Sequence, residues 1–499
     1  MHNRRSISRR TFVKGAALAV AAPTIISPRA LGGGGVAAPS ERLTLGFIGI
    51  GKQGSGHVNT LSNNPNIEVL GVSDIHNGRR ARAKKQVTDN YDKAQRKSSV
   101  DEYLHFMDLL NRKDIASVLI AVPDHWHTAV SMEAAKLKKD IYCEKPLTLT
   151  LHEAKLLLDT VNKYKVVFQT GSQQRSTGPF RQACEYVRNG RIGKIKEIRI
   201  GLPGVTSKFC DLPAEPTPEG IDWDIWLGQA PQRDYNDVLC RKTDNPGMYP
   251  FNPGWRDYIE YSGGMITDWG AHHLDIVQWA LDMDKAGPNE ARPPEKADDL
   301  YNAQVIYAHT PVGDNIPVTH IGGTVWEGDH WESPARGRGG ARGPGRGAGR
   351  GAAANAGAAG AAPATQPAST QPTLRHSKET NGILFIGETG RIFVNRSFIA
   401  SEPDTILKDP IRDSDIQLYQ SPNNNHHEDW LQCIKTRKTP VTGIEVGARS
   451  VAVCHIMNLA YWHRRALKWD PQKWEFPGDA EANGWRDRAR RAKYDLPTA

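Results

Sequence analysis

The sequence lacks the cysteine patterns and long apolar runs that mark metal-ribbon and membrane proteins. Its six cysteines form no Cys-x-x-Cys pair, which argues against a zinc ribbon or a thioredoxin-like redox motif. After the first forty residues, no apolar run approaches the roughly 20 residues needed to span a bilayer. With 38% hydrophobic and 24% charged residues over 499 positions, we expect a soluble globular chain of about two or three domains.

Two stretches of the chain contain no acidic residue, and they account for its positive charge. Residues 1–40 carry six arginines and lysines, and residues 335–373 carry five arginines. The rest of the chain has 53 basic and 55 acidic residues. The formal charge of +9 is therefore no argument for a nucleic-acid partner.

The acid-free N-terminus has the pattern of a twin-arginine export signal. Ser8-Arg9-Arg10-Thr11-Phe12 precedes an alanine-rich apolar run, Gly15 to Ile26, that is too short for a membrane anchor. We expect the twin-arginine translocase to recognise it and to export the protein to a periplasmic or extracytoplasmic location, with no stable membrane span. This route carries folded proteins, so the cysteines meet a reducing cytoplasm first and disulfides are not required.

The second acid-free stretch lies within residues 334–373, which repeat Arg-Gly, Ala-Gly and Gln-Pro. Such a composition cannot bury enough apolar surface to offset its ordering entropy, so it predicts a disordered surface insertion. It also lacks the aromatic residues that would stack on bases, which disfavours an RNA-binding role.

Strand and helix patterns divide the rest of the chain into two domains and a C-terminal tail, residues 476–499. Between residues 41 and 172, short apolar strands alternate with helices, which predicts an α/β domain with a doubly wound parallel sheet. From 173 to 475, the pattern predicts an α+β domain with a mostly antiparallel sheet and helices on one face. Its expected elements are helices at 180–189, 267–281, 427–435 and 447–462 and a hairpin at 382–394.

A glycine-rich loop, Gly49-Ile-Gly51-Lys52-Gln53-Gly54, lies where the first predicted strand meets the first predicted helix. Gly49 permits the tight turn, Gly51 lets the backbone approach a pyrophosphate, and Gly54 lets helix and strand pack closely. The N-terminus of the helix offers free N–H groups and a partial positive charge to the phosphates. The loop predicts a dinucleotide-binding site.

An acidic residue at the end of the second predicted strand indicates which dinucleotide is bound. Asp74 lies twenty residues after the last loop glycine and can accept hydrogen bonds from the ribose hydroxyls, which favours NAD. Arg79 and Arg80 follow closely and could instead hold a 2′-phosphate. NADP therefore stays open as an alternative.

Three further motifs complete a family pattern: Ala121-Val-Pro-Asp-His-Trp-His127, Cys143-Glu-Lys-Pro146 and Gly263-Gly-Met-Ile-Thr-Asp268-Trp-Gly-Ala-His272. With the glycine loop they resemble the Gfo/Idh/MocA oxidoreductase family over roughly residues 42–280, and more faintly to about 475. The resemblance implies a Rossmann domain, an open-sheet domain through which relatives associate as homo-oligomers, and an active site between them. Two departures are visible: this chain has Pro-Asp-His where much of the family has Pro-Asn, and the glycine-rich insertion is atypical.

The motifs define a predicted cofactor site and a predicted catalytic group. The cofactor-binding residues are Gly49, Gly51, Lys52, Gln53, Gly54, Asp74, Pro123, His127, Glu144 and Lys145. Lys145 ends a parallel strand and can hydrogen-bond the reacting oxygen. Asp268 and His272 share a helix face, so we assign His272 as general acid/base and Asp268 as its orienter or a direct substrate ligand.

Four further residues on this helix and on a later one could be mistaken for site residues. Asp275 lies on the face of Asp268 and His272, and the three could ligate a metal, but hydride chemistry needs none and we expect none. His273 lies on the other stripe and is expected to pack. His426 and His427, at the start of a later helix, are expected to be capping or core residues.

A pocket for a carbohydrate is predicted beside these groups, because aromatic faces stack on sugar C–H surfaces and polar groups read hydroxyls. Its candidate substrate-binding residues are Arg175, Trp255, Arg256, Tyr258, Asp268 and His272. Ordinary loop packing is the alternative for each of the first four.

The sequence therefore predicts an NAD(P)-dependent oxidoreductase acting on a sugar, glycoside or cyclic polyol. An exported enzyme meets no pool that recycles free NADH, so we expect a tightly bound cofactor that is regenerated in place. One alternative is a redox-neutral glycoside hydrolase, lyase or epimerase that works by transient oxidation. The other is a non-catalytic sugar-binding protein, against which the intact Lys145 and His272 argue.

Overall fold

The computed structural model of the chain describes residues 41–97, 99–248, 254–332 and 373–498. The predicted export signal (1–40) and all but the last residue of the predicted insertion (334–373) lie outside the described residues. Within the described ranges, no helix combines the length and the apolar character needed to cross a bilayer. All six cysteines are free thiols, and only Cys210 is not buried.

The first domain is built on a six-stranded parallel sheet with the strand order β3-β2-β1-β4-β5-β6. This confirms the predicted doubly wound sheet. The direction of winding reverses between β1 and β4, which opens a crevice at the carboxyl ends of these strands. The strands are β1 Leu43–Ile48, β2 Ile67–Ser73, β3 Asp101–Tyr103, β4 Ser117–Ile120, β5 Asp140–Cys143 and β6 Phe168–Thr170.

Five helices connect these strands and cover the sheet. The first begins at Lys52, where the carbonyl of Gly51 accepts the first helical hydrogen bond from the N–H of Ser55 at 2.9 Å. The helices are α1 Lys52–Ser62, α2 Asn77–Lys93, α3 Phe106–Leu110, α4 Asp124–Lys136 and α5 Leu151–Tyr164.

The second domain contains an eight-stranded sheet with the order β15-β14-β13-β7-β10-β9-β8-β16. Only the β7–β10 pair is parallel among the pairs of this sheet in the described chain, so the predicted mostly antiparallel sheet is confirmed. The strands are β7 Ile195–Gly201, β8 Glu290–Arg292, β9 Gln304–Thr310, β10 Gly313–Ile321, β13 Gly382–Gly387, β14 Arg391–Val394, β15 Ile399–Glu402 and β16 Leu467–Lys468. A separate antiparallel pair, β11 Trp326–Glu332 and β12 Thr373–Glu379, flanks the predicted insertion.

The helices of this domain place the second half of the site. The predicted helix 267–281 is divided into α8 and α9, although the intervening Trp269 keeps helical backbone angles. The long helix α12 packs against α5 of the first domain and α9 of the second, so it joins their cores. The helices are α6 Gly178–Arg188, α7 Trp223–Leu227, α8 Met265–Asp268, α9 Gly270–Ala280, α10 Thr405–Lys408, α11 His426–Thr436, α12 Ile444–His463 and α13 Ala480–Gly484.

The C-terminal segment, predicted as a tail, packs back against both domains. Arg490 donates to the buried carboxylate of Glu153 at 3.0 Å. Arg491 donates to Asp224 at 2.6 Å. These contacts make residues after 476 part of the folded body.

Candidate active site

The glycine loop after β1 leaves an open cradle at the N-terminus of α1. Gly49 has φ +86°, and a Cβ there would lie 2.6 Å from the backbone of Ala121. A Cβ on Gly54 would overlap the carbonyl of Gly49, whereas one on Gly51 would meet no atom within 4 Å. No side chain caps α1, and Lys52 is exposed at its first position. Open space beside uncapped N–H groups fits the pyrophosphate of a dinucleotide.

Asp74, at the end of β2, holds this loop in place. Its carboxylate accepts hydrogen bonds from the backbone N–H of Ile50 at 2.6 Å and of His76 at 2.9 Å. A carboxylate has about four acceptor positions, so two remain for ribose hydroxyls. The two arginines considered for a 2′-phosphate donate to backbone carbonyls, Arg79 to that of Arg241 and Arg80 to that of Asp74.

Glu144, which follows β5, is the acceptor of a buried hydrogen-bond network. Its Oε1 accepts from the Nε2 atoms of His57 (2.8 Å), Gln53 (3.1 Å) and Gln173 (2.9 Å), and its Oε2 accepts from the backbone N–H of Lys145 at 3.1 Å. Burial alone would raise the pKa of Glu144, but the hydrogen bond and charge of His57, followed by the charge of Lys145, lower it to about 2. We call Gln53, His57, Glu144 and Gln173 the closed cluster.

His57 connects the closed cluster to the second domain. Because ionised Glu144 can only accept, the Nε2 of His57 carries the hydrogen that they share. The Nδ1 of His57 lies 2.9 Å from the Nε2 of His427 at the start of α11. His427 was expected to cap or pack, and sequence reasoning missed His57. The four-residue spacing of Gln53 and His57 on one helix face was the signal that could have indicated it.

Lys145 and Asp268, two predicted site residues from different domains, meet across the crevice. The Nζ of Lys145 donates to the Asp268 carboxylate and lies 3.2 Å from its backbone carbonyl oxygen. The Nε of Arg256 lies 3.7 Å from the other carboxylate oxygen, so this candidate also reaches the site. Burial would raise the pKa of Asp268, but the charges of Lys145 and Arg256 lower it below its usual value.

His272 lies one helical turn beyond Asp268 and is 4% exposed. Its Nδ1 is buried and has no hydrogen-bond partner among the described residues. Burial, followed by the charges of Arg396 and Lys145, lowers the pKa of His272 well below 6.5, so the imidazole is neutral. Asp268 makes no hydrogen bond to it in the described structure, because its carboxylate faces Lys145. The predicted role of Asp268 as the orienter of His272 is therefore not supported, and a direct substrate ligand remains.

Two residues that sequence reasoning missed complete the site. Arg396 follows β14, and its guanidinium lies 4.3 Å from the centre of the Trp269 ring. Gln174, with its amide oriented to suit its neighbours, donates to the carbonyl of His272 at 3.2 Å and accepts from the Nε of Arg396 at 3.3 Å. A lone arginine after a strand carries no periodic signal. We call Lys145, Asp268, His272 and Arg396 the open cluster.

Arg175, predicted to bind substrate, lies elsewhere. It is 1% exposed and donates to Asp275 at 2.9 Å and to both carboxylate oxygens of Asp284 at 2.7 and 2.8 Å. All three of its guanidinium nitrogens are engaged inside the protein, which corrects the prediction. Asp275 also accepts from Ser450 at 2.7 Å, so it does not join Asp268 and His272 as a shared metal site.

The remaining predicted residues pack around the site or apart from it. Pro123 occupies the N-cap position of α4 without a side-chain hydrogen bond. His127 is buried, with its Nδ1 2.7 Å from the carbonyl oxygen of Pro146. Burial lowers the pKa of His127 to about 4. Tyr258 is 4% exposed and packs in an apolar cluster, which corrects its assignment to the substrate pocket, while Trp255 lies 4.2 Å beneath the guanidinium of Arg256. His273 packs as expected, and its Nε2 forms a hydrogen bond of 2.7 Å with the Oδ1 of Asn381.

Asp124, the departure from the family motif, joins the two domains. It is 2% exposed, and its carboxylate accepts from the hydroxyl of Ser262 at 2.7 Å. Burial raises the pKa of Asp124 to about 7, although the charge of Arg256 opposes the shift. A buried carboxyl that titrates near neutrality thus lies next to the site.

A Rossmann cradle with a lysine, a carboxylate and an imidazole at its crevice is the arrangement that a nicotinamide-dependent oxidoreductase requires. Residues 43–172 match the family model described as "Oxidoreductase family, NAD-binding Rossmann fold". Residues 203–303 and 376–496 match "Oxidoreductase family, C-terminal alpha/beta domain". The chain belongs to the Gfo/Idh/MocA oxidoreductase family, and its first domain is an NAD-binding Rossmann domain.

Individual relatives resemble parts of the chain. An uncharacterised oxidoreductase, YrbE of Bacillus subtilis, is 31% identical over 48% of this chain and 54% of its own length. The myo-inositol 2-dehydrogenase of Thermotoga maritima is 26% identical over 48% of this chain and 55% of its own. The chain thus spans about half the length of these relatives. A solved structure of a putative NADPH-dependent oxidoreductase from Desulfitobacterium hafniense shares the fold, with a TM-score of 0.50, 15% identity and coverage of 86% and 98% of the two chains.

Proposed function

We propose that the protein is an NAD-dependent oxidoreductase that acts on a hydroxyl-bearing carbon of a sugar, glycoside or cyclic polyol. The observation that carries the proposal is the ion pair of Lys145 and Asp268 beside a neutral, buried His272, at the crevice that the glycine cradle opens. The similar myo-inositol 2-dehydrogenase acts on a cyclic polyol, as its name states, and supports this substrate class.

Each residue of the crevice has a role in the proposed reaction. The cradle at Gly51 and the acceptors of Asp74 would hold the dinucleotide, and bound NAD supplies the hydride acceptor. The ammonium of Lys145 hydrogen-bonds the substrate oxygen and stabilises the negative charge that develops on this oxygen as its proton leaves. His272 takes the hydroxyl proton, since its neutral ring has an unpaired nitrogen. Asp268 holds Lys145 and accepts from a second hydroxyl.

We also propose that the protein is exported by the twin-arginine route and keeps its cofactor through many turnovers. The support is the paired arginines Arg9 and Arg10 and the lack of a recycling pool outside the cytoplasm. Association into homo-oligomers through the second sheet is part of the same proposal. Helices cover one face of this sheet, while residues of the other face, such as Arg199, Ile306 and Pro317, stay partly exposed.

The purified protein, denatured and assayed for nucleotide, tests cofactor retention, and a panel of sugars and polyols tests the chemistry. Net oxidation gives a ketone product together with absorbance of the reduced nicotinamide. A redox-neutral hydrolase, lyase or epimerase gives product without lasting absorbance. Empty protein with weak NAD affinity contradicts the retained cofactor, and binding without either product leaves the sugar-binding protein as the function.

A further inference from the structure

Arg396 stands out because it reaches the open cluster without forming an ion pair in the described part of the chain. Its guanidinium lies over the Trp269 ring, 4.3 Å from the ring centre, and among the described residues its Nε has one acceptor, the amide oxygen of Gln174 at 3.3 Å. The residue is exposed, which means that solvent and solutes reach it. Its two terminal nitrogens form no hydrogen bond and no ion pair with any described residue.

The anions near Arg396 are already committed to other groups. Asp268 binds Lys145 and lies near Arg256, and Glu144 accepts four hydrogen bonds in the closed cluster. Arg175, by contrast, is a buried arginine whose charge two carboxylates balance. A planar guanidinium with two open nitrogens matches the two oxygens of a carboxylate or a phosphate.

The phosphates of the dinucleotide do not supply this anion. They are accounted for by the N-terminus of α1 and the open space at Gly51, both in the first domain. Arg396 belongs to the second domain and contacts Trp269, between Asp268 and the helix that carries His272. The unmatched charge therefore lies on the substrate side of the crevice.

We propose that the substrate of this site is an acidic sugar, whose carboxylate or phosphate binds the two terminal nitrogens of Arg396 while a hydroxyl-bearing carbon faces Lys145 and His272. The proposal rests on the proposed function and narrows its substrate class. The bound anion also acts on catalysis. The charge of Arg396 lowers the pKa of His272, second only to burial, so an anion that balances this charge makes His272 a better proton acceptor.

The test compares matched sugars on the NAD-loaded enzyme. Each neutral methyl glycoside of the gluco, galacto and manno series is paired with its uronate and with its 6-phosphate, and nicotinamide reduction and binding by calorimetry are measured. We expect acidic members to be favoured about 10- to 100-fold in kcat/KM or affinity, as expected for charge-assisted hydrogen bonds. Comparing uronates with phosphates shows which anion the site takes.

Arg396→Gln should remove this preference, and Arg396→Lys should restore part of it. Arg391→Gln is the matched control, since Arg391 lies on β14 but pairs with Glu402 at 2.6 Å. Equal use of neutral and acidic members, or an acid preference that survives in Arg396→Gln, overturns the proposal. Turnover of neutral sugars alone supports the proposed function and overturns only this inference. If no sugar is oxidised, the proposed function fails, and the calorimetry still decides whether Arg396 binds acidic sugars.

Discussion

Glu144 and Lys145 are neighbours in sequence, yet the side chain of Glu144 lies in a fully hydrogen-bonded cluster and that of Lys145 in a cluster with unsatisfied polar atoms. The closed cluster gives Glu144 a donor from three side chains and one backbone N–H. The open cluster leaves Asp268 Oδ2 and His272 Nδ1 buried without a hydrogen bond in the described chain. A saturated polar network is rigid, whereas unsatisfied buried groups are costly and mark a place for a ligand. From this comparison we propose that Glu144 positions its neighbours and that Lys145 takes part in the chemical step.

Lys145→Met is the strongest test of the different roles of Glu144 and Lys145. Methionine keeps the length of the side chain but removes the donor that would stabilise charge on the reacting oxygen, so hydride transfer should fall about 10³-fold. Nucleotide content should stay unchanged, because the glycine cradle and Asp74 are intact. Single-turnover absorbance of the reduced nicotinamide, with an assay of bound nucleotide, measures both.

Lys155→Met is the control for Lys145→Met, since Lys155 forms only an exposed pair with Asp159 at 2.6 Å. A hydride-transfer rate that is the same for Lys145→Met and wild type would remove Lys145 from the mechanism.

His272→Gln should lower the rate about 10²-fold, because the amide cannot take up the hydroxyl proton. The loss should shrink at high pH, where more of the substrate alcohol loses its proton without help. Rate against pH from 6 to 10 measures this. His309→Gln serves as control, since His309 is 86% exposed on a distant hairpin. A constant ratio of the two rates across the whole range would argue that His272 only packs.

The sequence allowed prediction of what depends on local pattern and could not predict what depends on distant pairing. The glycine loop, the strand alternation and the three motifs lie within short windows, and they located Lys145, Asp268 and His272. The contact of His57 with His427 spans 370 positions. The position of Arg396 beside Trp269 and the pairing of Arg175 with two carboxylates also depend on how the sheets and helices pack. The spacing of residues along the sequence does not predict such packing.

Glu144→Gln tests the closed cluster through acid stability. The pKa of Glu144 is about 2 in the folded protein and about 4.3 when unfolded, so its stabilising effect is present above pH 4.3 and is lost as pH falls toward 2. The variant should be less stable than wild type at pH 6, and the difference should narrow by pH 3. Urea midpoints at pH 6, 4 and 3 measure it.

Glu327→Gln, at a side chain that is 56% exposed, is the control for Glu144→Gln. A difference from wild type that does not change with pH would mean that the closed cluster does not hold Glu144 ionised.

Asp124→Asn should have the smallest effect on stability, and unlike Glu144→Gln it should stabilise the protein. The pKa of Asp124 is about 7 when folded and about 3.9 when unfolded, so its stabilising effect is complete below pH 3.9 and is lost as pH rises through 7. Asparagine keeps the hydrogen bond to Ser262 but carries no charge, so the variant should gain a few degrees in Tm over wild type at pH 8 and little at pH 4. Thermal melts from pH 4 to 8 measure the gain. A gain in Tm that is equal at pH 4 and pH 8 would show that Asp124 is ionised in the folded protein throughout this range. Asp124 would then be a second permanent anion beside the open cluster, together with Asp268.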